Sequence, residues 1–251
     1  MKVDLFFCGD SFTWGEELQG PEQNHTRREK ERFSCVLSEK LGKTHENISS
    51  SGTSNDWIVK NTIQWFEEGN SCDTAIIQFS QEKRWLWYDK NGKQHHMPAK
   101  WKEQDTYLYI SNEKQEAQQA YMKHVVSNHL TLDNYWKNMF MIRNYLKDKC
   151  RVIHLNLGEV PRNKNFWYEA VGDIDILELK PLLKLPYETR ISQENRAWNW
   201  YNPNFCPNLK ADVLDNNQNK RFSGAHPSAK GHKIISDTIL EQHSYLLQEC
   251  S

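Results

Sequence analysis

The chain has 251 residues, with 32 Lys and Arg against 33 Asp and Glu and a net charge of −1 at pH 7. That balance, without a block of like charge to track phosphates, argues against nucleic acid as a partner. Hydrophobic residues make up 37% and include ten each of Trp, Tyr and Phe, so a core of few, large side chains is expected, in one domain spanning 1–251.

The first strand is Val3 to Cys8, a short apolar run ended by Gly9-Asp10-Ser11, after which the pattern turns helical. Arg27, Arg28, Lys30 and Arg32 are interleaved with Glu29 and Glu31, which reads as a solvated helix face. A helix continues over Ser34 to Leu41. Glu46 to Ile48 reads as a short strand, and Ser49-Ser50-Ser51-Gly52-Thr53 is a turn cluster. Ser54, Asn55 and Asp56 offer caps for a helix over 56–68, whose apolar residues Trp57, Ile58, Ile63, Trp65 and Phe66 recur near helical spacing. Thr74 to Phe79 is the next buried strand.

This alternation implies a parallel sheet covered on both faces, with a ligand at the strand C-terminal ends. The rhythm breaks at about 84–112. There Trp85, Trp87 and Tyr88 precede Asn91-Gly92, the pairing that favours a hairpin between aromatic runs. This insertion is expected to be a lid or a surface for a protein partner. A long helix over roughly 113–148, in one or two pieces, and a fourth strand from Arg151 to Leu157 follow. The segment 158–222, with Pro161, Pro181, Pro186, Pro203 and Pro207, reads as long and irregular. A helix over 228–247 closes the chain.

The six cysteines, Cys8, Cys35, Cys72, Cys150, Cys206 and Cys250, have no metal-ligand spacing and read as buried or incidental thiols. His95-His96 lacks a third ligand nearby and reads as solvent-facing, so no metal is expected. Trp85, Trp87, Trp198 and Trp200 are expected to pack in the core or an interface, with stacking on sugar rings the alternative. The start carries no signal-peptide pattern and no apolar run reaches ~20 residues, so a cytoplasmic chain without membrane insertion is expected.

Two segments carry chemistry. A serine directly after a strand, at the entry to a helix, can project its hydroxyl into a cleft while free backbone N–H groups stabilise an oxyanion. Such a serine needs a neighbouring imidazole to take its proton. Ser11 has the first property, and His226 is the candidate base.

Gly9-Asp10-Ser11-Phe12-Thr13-Trp14-Gly15 and His226-Pro227 with Gly231-His232 resemble the first and last blocks of the SGNH/GDSL hydrolase family. The style of the chain is reminiscent of phage-encoded relatives, which would place it in a virion or host-cell context. The resemblance implies a three-layer α/β/α sandwich with a central, mostly parallel, flavodoxin-like sheet, and esterase chemistry without a cofactor. It implies Gly52 as an oxyanion donor beside the Ser11 N–H. The family's third block offers an asparagine, but here the sequence is Phe79-Ser80-Gln81-Glu82-Lys83-Arg84, leaving Ser80 or Gln81 as the third donor. Arg84 is expected either to pin this loop or to bind an anionic substrate group. The position expected for the triad acid is Ser223, so Asp215 or Asp212 would have to reach in, or Ser223 and a backbone carbonyl would orient the ring of a dyad. His232 reads as structural. The activity implied is an esterase or carbohydrate O-deacetylase acting on a small-molecule or carbohydrate ester. The alternative is a catalytically impaired binding or assembly module on the same fold.

Overall fold

A computed structural model describes residues 1–16, 18, 25–80, 82, 84–88, 94–97, 120, 127–162, 165–179, 226–227 and 229–247, with the backbone alone at 85, 87 and 94–97. Strand β1 (Lys2–Cys8) leads into α1 (Ser11–Trp14), then α2 (His25–Glu31), α3 (Phe33–Leu41) and β2 (His45–Asn47). After them come α4 (Asn55–Glu67), β3 (Ser71–Phe79) and a pair of strands, β4 (Trp85–Tyr88) and β5 (Gln94–Met97). The remainder is α5 (Asn128–Leu146), β6 (Arg151–Asn156), α6 (Phe166–Val171), β7 (Ile176–Glu178) and α7 (Ala229–Leu247).

The five-stranded sheet has the order β2-β1-β3-β6-β7 and every pairing in it is parallel. Both faces are therefore covered, and the strands are apolar almost throughout. Phe6, Ile77 and Phe79 face Trp65 and Phe66 of α4 and Tyr135, Met139 and Ile142 of α5. Leu5, Phe7, Ile76 and Leu155 face Phe33 and Leu37 of α3 and Ile235 and Ile239 of α7. Phe6 stacks on Trp65 with ring centroids 4.3 Å apart, which pins α4 over β1. The result is the expected three-layer α/β/α arrangement.

The sheet runs outward from β1 to β2, then returns past β1 to β3 and grows the other way. The reversal lies between β1 and β3, and the crevice outside their C-terminal ends is where a parallel sheet receives a ligand. Gly9-Asp10-Ser11 leaves one of these ends and Ser80 leaves the other.

Several expectations change in detail. Strands β4 and β5 form the expected hairpin, pairing antiparallel from Trp85↔Met97 to Tyr88↔Gln94. The long helix is described from Asn128, capped by Ser127 accepting from Leu130 N. The start of the segment taken as irregular holds both α6 and β7. Strand β7 adds the fifth strand, pairing His154↔Ile176 and Asn156↔Glu178. The run Asp173-Ile174-Asp175-Ile176 carries the period-two signal of a strand, but only three residues pair. The basic cluster is helical, yet Arg28 is buried, with its guanidinium 3.7 Å above the Trp14 ring. The indole face attracts the cation, and Glu29 and Glu16 add opposite charge nearby. Among the described residues no helix is long and apolar enough to cross a membrane.

Candidate active site

Gly9 ends β1 at a point where no side chain fits. A Cβ there would lie 2.5 Å from Thr13 Oγ1 and 2.8 Å from Gln78 Oε1. The chain then turns sharply. Asp10 is extended (φ −92°, ψ −156°) and caps α1, its Oδ1 accepting from Phe12 N at 3.0 Å. Gly15 closes the turn in the left-handed region (φ +83°), its N–H donating to Ser11 O. Ser11 thus opens a four-residue helix immediately off the central strand.

Gln78 supports this turn from below. Its Oε1 accepts from Thr13 Oγ1 at 2.8 Å, Asp10 N at 3.2 Å and Thr13 N at 3.3 Å. A neutral buried residue in the middle of an apolar strand carries no motif, and it was not singled out from the sequence. The Asp10 carboxylate is fully buried and heavily bonded: Oδ2 accepts from Ser80 Oγ at 2.7 Å and from Arg84 Nη1 at 3.0 Å. Arg84 therefore pins the loop after β3 to the turn before α1.

The loop before α4 joins them. Ser50 N and Thr53 Oγ1 both donate to Gly9 O at 3.3 Å. Gly52 sits between them, exposed and at φ +73°, a conformation that favours glycine. Asn55 binds Ser80 through both backbone groups, accepting from its N–H at 2.7 Å and donating to its carbonyl at 3.4 Å. The first strand-end turn, the Gly52 turn and the Ser80 loop are one hydrogen-bonded unit.

His226 comes from the far end of the chain. Its ring lies 5.7 Å from that of Phe12, centroid to centroid, so it stands beside the residue that follows Ser11. His232 has a different task. It is fully buried, stacks on Phe33, and its Nδ1 accepts from Phe33 N at 3.1 Å, satisfying the first turn of α3. Burial, and then the neighbouring His226 and Arg32, push its pKa down to about 3, so it is neutral.

The structure thus brings Ser11, Gly52, Ser80, Arg84 and His226 to one end of the sheet. The Ser80 hydroxyl already donates its hydrogen bond to Asp10, which changes its expected role as an oxyanion donor. Gln81, Ser223, Asp212 and Asp215 lie outside the described residues, as do Trp198, Trp200, Cys206, Cys250 and the side chains of Trp85, Trp87, His95 and His96. Cys8 and Cys72 are buried, Cys35 and Cys150 half-buried, and all four are free thiols.

No protein-family model and no curated protein sequence matches the chain. Solved structures do. The chain is similar to a member of the lipolytic protein G-D-S-L family from Veillonella parvula, at 10% identity over 98% of this chain and 100% of that one, with a TM-score of 0.44. It is similar to an acetyl xylan esterase from Geobacillus stearothermophilus, at 15% identity over 95% and 93% of the two chains and a TM-score of 0.38. A family two carbohydrate esterase from Clostridium thermocellum, in complex with cellohexaose, is 9% identical over 97% of this chain and 65% of that one, with a TM-score of 0.45.

Proposed function

We propose that the chain is a serine hydrolase of the SGNH/GDSL kind that cleaves an ester, with Ser11 as nucleophile and His226 as general base. The observation that carries this reading is the rigid turn that presents Ser11 at the sheet's switch point with the His226 ring beside Phe12. Ser11 Oγ attacks the ester carbonyl carbon as His226 takes its proton. The carbonyl π electrons move onto oxygen, where the N–H groups of Ser11 and Gly52 stabilise the charge. The intermediate collapses, His226 returns the proton to the departing alkoxide, and an acyl-enzyme remains on Ser11. Water, deprotonated by His226, then releases the acyl group as an acid. Ser80 is tied to Asp10, so Gln81 is the better third donor. A carboxylate to orient His226 would come from Asp215, or Ser223 would serve a dyad.

The aromatic-rich hairpin beside the site suits a carbohydrate ester, for which an O-acetyl sugar is the class we favour. The test is hydrolysis of a short activated acetate ester by the parent chain, with Ser11→Ala and His226→Ala alongside; turnover by the parent that both variants lose supports the reading. A second reading is a non-catalytic module on the same fold. It is favoured by Ser80's commitment to Asp10 and by Ser223 at the acid position. Absence of turnover in the parent would select it.

A further inference from the structure

Arg84 is the residue immediately before β4, and one nitrogen of its guanidinium serves two acceptors. Nη1 donates to Asp10 Oδ2 and to Ser80 Oγ, both at 3.0 Å. The Ser80 hydroxyl donates its own hydrogen bond to the same Asp10 oxygen, closing a three-membered ring of hydrogen bonds. The other Asp10 oxygen holds Phe12 N. Asp10 has no solvent exposure, while the Arg84 side chain is 19% exposed. A carboxylate withdrawn from water is tolerated when a cation and hydrogen bonds match it, and removing one partner leaves an uncompensated charge. The far end of β4 is also fastened: Lys60 Nζ of α4 donates to Tyr88 Oη at 2.9 Å.

We propose that Arg84 is a positioning residue. Its ion pair with Asp10 holds the turn carrying Ser11 in register with the base of the β4–β5 hairpin, and Ser80 is the link in this clamp. This rests on the reading of Ser11 as nucleophile. Asp10 precedes Ser11 and fixes where α1 begins, so a displaced Asp10 carboxylate moves the Ser11 N–H and hydroxyl together.

The test compares the parent chain with Arg84→Gln, Arg84→Lys and the double variant Arg84→Gln with Asp10→Asn. Two readouts are taken: the rate at which a fluorophosphonate labels Ser11, and amide hydrogen exchange in the segment spanning residues 9–15. Arg84→Gln is expected to slow labelling about tenfold and to speed exchange by a similar factor. With an acetate ester the loss falls on kcat and leaves KM within about twofold. Arg84→Lys recovers part of both effects, and it carries the test should Arg84→Gln not fold. The double variant is less impaired than Arg84→Gln alone, because no buried charge is left unmatched. Labelling and exchange unchanged in Arg84→Gln, or a double variant worse than Arg84→Gln alone, would overturn the clamp. If the parent itself is never labelled, the hydrolase reading fails, and the exchange data still decide for or against the clamp.

Discussion

Gly9 and Gln78 are the two residues on which the Ser11 turn rests. A methyl at Gly9 would press on Thr13 Oγ1 and Gln78 Oε1, both held by hydrogen bonds and unable to retreat. Gly9→Ala should lower unfolding stability by about 1–3 kcal/mol in a urea titration, as overpacking of a tight site does. Gln78→Leu keeps the size of the side chain and strips three donors of their acceptor. Buried groups left unpaired cost about 1–3 kcal/mol each, so the loss should exceed that of Gly9→Ala. A midpoint within error of the parent would show that Gln78 does not support the turn. At this scale the segments holding Ser11, Gly52 and His226 could be singled out in the sequence because they resemble family blocks. Gln78 and Asn55 could not, because their role is to accept and donate within the fold, and nothing in an apolar strand or at a helix start announces which polar residue does so.

Among the elements, the short α1 and the N-terminus of α4 work as a pair. Ser54 caps α4, accepting from Trp57 N at 3.4 Å, and Asn55 beside it grips the backbone of Ser80. Asn55→Ala should loosen the loop after β3 while leaving α4 capped. The expected result is a loss of about 1–3 kcal/mol in stability, together with faster amide exchange at Ser80, whose N–H loses its acceptor. Unaltered exchange there would contradict this. The apolar strands and the capped α4 followed from hydrophobic runs and cap residues, and Asn91-Gly92 located the hairpin. Strand β7 escaped because it pairs over only three residues, too few for alternation to stand out from a loop rich in polar residues. The helix α2 was legible as a helix, but its buried Arg28 was not, since alternating charges read as a solvated face and do not reveal that the guanidinium stacks on Trp14.

Burial lowers the pKa of four of the described histidines, His45, His154, His232 and His243, and it does so most for His154 and His232, which fold in neutral form. Burial pushes the His154 pKa down to about 4, and that of His232 to about 3, against 6.5 for an unperturbed ring. The unfolded chain therefore binds protons at these rings below pH 6.5 while the folded chain does not. Their contribution to stability is complete above 6.5 and is lost as pH falls towards 4 and then 3. A urea midpoint lower at pH 5 than at pH 7.5 is expected, with a smaller drop in a variant carrying His154→Gln and His232→Asn. Equal drops in both would show that these rings are not the cause. The sheet order β2-β1-β3-β6-β7 brings to one switch point Ser11 from the end of β1 and Ser80 from the end of β3, and His226 joins them from the far end of the sequence. The most direct measurement of the proposed chemistry is mass spectrometry of the parent chain after treatment with a fluorophosphonate. A single adduct on Ser11 is expected, abolished in Ser11→Ala and slowed by about a hundredfold or more in His226→Ala. A parent chain that takes no adduct, or one placed on another serine, would contradict it.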